Sequence, residues 1–136
     1  MQTTIGIINI IFILLIITSP FFVSKYINKK KINAKIIISI FLSVILIITL
    51  SFVFGWWTHY SDKILLQWYG YNLELMPDTP DRYINVAPQD KERVETLRMG
   101  YMGIGWPLQI IYSLVFVVPF AVIIPIVFYV FKKNKQ

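Results

Sequence analysis

"IIISIFLSVILIITLSFVFGWW", residues 36–57, carries no charged side chain and ends in two tryptophans. A helix of that length, rising 1.5 Å per residue, crosses the roughly 30 Å hydrocarbon layer of a bilayer. Two further stretches, residues 2–24 and 106–131, are equally free of charge. The chain has 136 residues and is 57% hydrophobic, with a mean hydropathy of +0.65. Three uncharged stretches in so short a chain leave almost no soluble protein to enclose them. The expected fold class is therefore an all-α integral membrane protein with three transmembrane helices. Its expected parts are span one (1–24), a basic cytoplasmic loop (25–35), span two (36–57), an extracytoplasmic, partly helical cap (58–105), span three (106–131) and a basic cytoplasmic tail (132–136).

Charge placement orients these spans. Lys25, Lys29, Lys30, Lys31 and Lys35 lie between spans one and two, and Lys132, Lys133 and Lys135 follow span three, with no acid among them. Every aspartate and glutamate falls within 58–105. Lysine-rich short loops mark the cytoplasmic side, so the N-terminus is expected outside and the C-terminus inside. The same lysines are expected to attract anionic lipid, at about 1 kcal/mol each near the surface. A nucleic-acid partner is not expected, because the cluster is all lysine beside apolar spans and lacks the arginine that grips phosphate bidentately. Residues 1–24 read as a retained helix: no basic residue precedes the apolar run, and no small-residue cleavage site follows it.

The segment between spans two and three carries its own signals. "SDKILLQWYG", residues 61–70, reads as a separate short helix capped by Ser61, ended by Gly70 and lying on the membrane interface. "APQDKERVETLRMGYMG", residues 87–103, reads as a second helix opened by Pro88, with Val94, Leu97 and Tyr101 on one apolar face. Gly103 is expected in the left-handed conformation that ends this helix, and Gly105 is expected to supply the turn. Trp106 then anchors at the headgroups, as Trp56 and Trp57 do for span two. Pro107 opens span three in its first turn, where a missing N–H costs nothing. Pro119 and Pro125 lie inside that span and read as a bend or, less simply, a gate. Ser39 and Ser43, four apart, form a candidate packing seam, and Asn9 is expected to reach the interface or a neighbouring helix.

Chemistry is sparsely signalled. No span holds Asp, Glu, Lys, Arg or His, which counts against proton-coupled transport, pumping, intramembrane proteolysis and a charged selectivity ring. The absence of cysteine excludes disulfides, thiolate catalysis and iron–sulfur clusters. His59, the single histidine, forms a base–orienter pair with Asp62 only if one helix carries both, and more simply is an interfacial polar residue. No metal, cofactor or catalytic residue is expected.

In size and span number the chain is similar in outline to the small membrane immunity proteins that protect bacteria from pore-forming toxins, a likeness carried by no residue motif. The expected function is a non-enzymatic binding or accessory role toward a partner membrane protein or a toxin. The alternative is a small oligomeric channel or transporter component, with the chain partnering itself. Isoleucine, lysine and asparagine richness suits a bacterial source, so the expected location is a bacterial inner membrane.

Overall fold

In the computed structural model, which describes residues 1–30, 33–76 and 79–133, the regular structure is entirely helical. The long helices are α1 (Gln2–Asn28), α2 (Lys35–Trp68) and α4 (Gly105–Lys133), and the shorter α3 (Lys91–Met102) precedes α4. Two 3-10 turns, Pro80–Tyr83 and Pro88–Asp90, lie between α2 and α3. Three helices are long and apolar enough to cross a membrane: Gln2–Asn28, Lys35–Trp68 and Pro107–Phe131. The chain is thus a membrane-embedded helical protein.

Burial in the bundle is inverted relative to a soluble protein. On α2, Ser39, Ser43 and Ser51 are fully buried with Gly55, while Ile37, Phe41 and Phe52 are 70%, 64% and 57% exposed. Lipid gives isoleucine no reason to hide, so close packing of small residues decides which face turns inward. The expected Ser39–Ser43 seam is this face. Ser39 also shares a hydrogen bond with the Tyr129 hydroxyl at 3.3 Å, and Tyr129 donates to the Ser24 carbonyl at 3.2 Å, tying all three long helices together. Nearer the other end, Ile16, Ile47, Phe54 and Ala121 form a second knot. Ser43 Oγ has no partner among the described residues, so its role is size. Ser43→Leu should therefore lower stability by about 1–3 kcal/mol through overpacking, whereas Ser43→Ala should leave the unfolding midpoint in detergent nearly unchanged.

Several polar groups inside the spans are satisfied locally. Pro20 lies within α1 and cannot donate to the Ile16 carbonyl, and the Ser19 hydroxyl takes that place at 2.9 Å. Thr18 and Thr49 donate to the carbonyls of Leu14 and Ile45. Helix α4 runs unbroken through both interior prolines, with Pro125 buried and Pro119 exposed. Pro107 sits in its first turn, as expected.

Two local expectations are corrected. Helix α2 does not end at Trp57 but continues to Trp68, so residues 61–68 are its last turns and not a separate interfacial helix. The Ser61 hydroxyl donates back to the Thr58 carbonyl at 2.9 Å, which keeps it inside the helix instead of capping a new one. At 34 residues, α2 is about 51 Å long and outreaches a hydrocarbon layer of about 30 Å. Leu65 and Leu66 are buried in a small core with Ile5, Tyr71, Val86, Val94 and Leu97, so their apolarity serves this cap and not a membrane surface. Gly103, the second correction, is extended (φ −93°, ψ −162°) and not left-handed. Glycine is needed there because a Cβ would stand 2.5 Å from the Met99 carbonyl oxygen.

Candidate functional site

The cap end of the bundle gathers the described acidic side chains, with several basic and polar ones, in a built arrangement. Ile5 of α1 enters the cap core beside Leu65 and Leu97, so the first span and the cap are one packed unit there. Trp57 turns inward and its indole Nε1 donates to Asn9 Oδ1 at 3.0 Å, the contact between helices expected of Asn9. Trp56 points away, 65% exposed and stacked on Tyr60 with ring centroids 5.8 Å apart. The two tryptophans therefore do different work: one is exposed like a belt residue, and the other locks α1 to α2. Helix α2 carries His59 and Asp62 together, and His59 stacks on Tyr101 of α3 at 4.6 Å.

Between α1, α2, α3 and the start of α4 opens a polar cleft of about 600 Å³, lined by Gln2, Asn9, Thr58, Asp62, Arg93 and Gln109 among others. Thr58 donates to the Gly55 carbonyl at 2.8 Å, and the Gln2 side-chain oxygen accepts from the Tyr69 hydroxyl at 3.1 Å. Asp62 stands at the charged end of α2, beyond its uncharged run, and is half-buried. One carboxylate oxygen lies where a Cβ on Gly100 would come within 3.1 Å, so the glycine makes room for it. Among the described residues, Asp62 has neither a hydrogen-bond donor nor an ion-pair partner. Burial pushes its pKa up to about 6, and Arg93 across the cleft partly opposes the rise.

The sign of that shift fixes a pH dependence. An unfolded aspartate releases its proton near pH 4, whereas folded Asp62 holds it to about pH 6, so the folded chain binds more protons between them. The contribution of Asp62 to stability is then greatest below about pH 4, falls as pH rises to about 6 and stays lowered above. Asp62→Asn should remove this slope and add about 1 kcal/mol at pH 7.5, the figure allowing for solvent screening of a half-exposed group. Thermal unfolding in a maltoside detergent across pH 4–8, followed by tryptophan fluorescence, checks both.

A second polar cluster sits on the outer face of α3. The Arg98 guanidinium grips both Glu95 oxygens, and the Tyr83 hydroxyl also donates to Glu95. Arg98 first, then Tyr83, hold the Glu95 carboxyl below its usual range; burial, followed by Glu95, pushes Tyr83 up to about 12. This network ties α3 to the turn at Pro80–Tyr83.

Sequence reading missed Arg82 altogether. It is 3% exposed and donates to the Tyr71 hydroxyl (3.1 Å) and to the Leu73 and Leu75 carbonyls. No acid spaced along the chain announces such a role, because its oxygen partners are a tyrosine hydroxyl and main-chain carbonyls.

The other expected sites fall in three places. Gly105 is the first residue of α4, and a Cβ there would come within 3.2 Å of Gly100, so these glycines let α3 and α4 touch. Lys25, Lys29, Lys30 and Lys35 lie at the end opposite the cap, where Lys35 donates to the Asn28 carbonyl at 3.3 Å and Lys30 covers the Tyr26 ring. Lys31 and Lys135 lie outside the described residues, as do the side chains of Trp106, Lys132 and Lys133. No group of metal-ligating side chains occurs among the described residues. No known protein family, curated protein or solved structure matches the chain.

Proposed function

We propose that this is a multi-pass protein of a bacterial inner membrane, with its cap outside and its lysine-rich end in the cytoplasm, acting by non-enzymatic binding. The partner is another membrane protein or a membrane-active toxin, met at the junction of cap and third span. The observation that carries this reading is a shallow apolar depression of about 460 Å³ where α3 meets α4. Met99 and Met102 line it with Ile104 and Leu108, and Met99 and Ile104 are 63% and 71% exposed. Methionines adapt their shape to what they meet and are favoured at binding surfaces. The backbone beneath is held by the close approach of Gly100 and Gly105, which presents these side chains on a firm base.

Photo-crosslinking in intact cells tests the proposal. A photoreactive phenylalanine analogue at Met99 or Ile104 should give one discrete protein adduct. The same analogue at Phe116, exposed on the third span, should not. Equal adducts at both places, or none at the depression, would count against it. Turnover by the purified, partner-free protein that disappears on changing His59 or Asp62 would overturn the non-enzymatic reading.

A further inference from the structure

We propose that the polar cleft holds the headgroup of an aminophospholipid, with its ammonium on Asp62 and its phosphate on Arg93. The cleft carries one anion and one cation, and the fold leaves both unused. Asp62 is half-buried with no donor, and Arg93 makes no hydrogen bond or ion pair with any described residue. They feel each other's charge yet form no ion pair, so space remains between them. A half-buried carboxylate that no protein group donates to favours a ligand that brings N–H groups. A primary ammonium supplies three. A guanidinium facing it across the cleft suits the adjoining phosphate.

Three further observations bear on shape and source. Gly6 lines the cleft, and a Cβ built on it meets nothing within 4 Å, so the space above it is open. Amide side chains of Asn9 and Gln109 also line it and offer neutral donors and acceptors to ester and glycerol oxygens. The same turns of α1 expose Ile7, Ile10 and Ile11 at 55%, 59% and 50%, a surface for acyl chains below a bound headgroup. A bilayer lipid fits this continuity of polar cleft and apolar flank better than a free zwitterion does.

The test uses the purified full chain in maltoside micelles, titrated with short-chain phosphatidylethanolamine and read by thermal unfolding. The unfolding midpoint should rise by about 5 °C near saturation. Short-chain phosphatidylcholine, whose quaternary ammonium has no N–H, should bind at least tenfold more weakly. Asp62→Asn and Arg93→Gln should each weaken phosphatidylethanolamine at least tenfold, while Arg98→Gln leaves it unchanged. Gly6→Leu should fill the cleft and abolish binding without lowering the ligand-free midpoint, which separates occlusion from unfolding. No midpoint rise, equal binding of phosphatidylcholine, or full binding by Asp62→Asn, Arg93→Gln or Gly6→Leu would overturn the proposal. Glycerophosphoethanolamine binding as tightly as the lipid would overturn the bilayer source.

Discussion

Arg82→Ala should unfold the cap while the three long helices remain. The guanidinium is the hub of residues 71–75: it pins the Leu73 and Leu75 carbonyls, bonds the Tyr71 hydroxyl and lies over the Tyr71 ring. Its own carbonyl accepts from Asn72 N at 3.0 Å, so main chain and side chain hold the same loop. Tyr71 is 2% exposed and packs edge-on against Tyr83 at 5.0 Å, which carries the effect into the cap core. Hydrogen bonds from a charged donor are each worth roughly 1.5–3 kcal/mol, and their acceptors would be left in a part-buried loop. A loss of about 3 kcal/mol or more follows, against a cap core of few side chains. Trypsin should then cut within the cap, with little change in far-ultraviolet helicity. Arg82→Lys should restore only part of the protection, since an ammonium does not present the planar fork that reaches several carbonyls.

Gly70→Ala should be nearly as damaging, by a different route. Gly70 has φ +83° and ends α2 in a Schellman arrangement, with Gly70 N on the Gln67 carbonyl and Tyr71 N on the Leu66 carbonyl. The left-handed conformation costs an L-residue roughly 1–2 kcal/mol. A Cβ would in addition stand 2.6 Å from the Asn85 carbonyl oxygen, and backbone does not yield as a side-chain tip would. The combined loss should be about 3 kcal/mol. Asparagine normally tolerates this conformation, so Gly70→Asn separates the two causes. If close approach dominates, Asn should fare no better than Ala in thermal unfolding.

The parts legible in the sequence are those set by local chemistry. Uncharged length marks the three spans, Gly70 marks the end of α2, and Val94 and Leu97 mark the buried face of α3. The rest depends on partners far along the chain. Ser61-Asp62 resembles a helix start, yet Ser61 satisfies itself on the Thr58 carbonyl, and Leu66 finds a core instead of lipid. The cleft was not legible because Gln2, Asp62, Arg93 and Gln109 come from four elements and are individually unremarkable surface polar residues. Trp56 and Trp57 look alike in sequence, and only the position of Asn9 makes one a lock.

The proposed placement of the cap outside the cytoplasm underlies its proposed role, and the absence of native cysteine makes that placement directly measurable. Single cysteines at Glu92, exposed on α3, and at Asn33, exposed between α1 and α2, report the two ends. In intact cells, a membrane-impermeant maleimide should label Glu92→Cys at once and Asn33→Cys only after permeabilisation. Labelling of Asn33→Cys in intact cells, with Glu92→Cys protected, would contradict it.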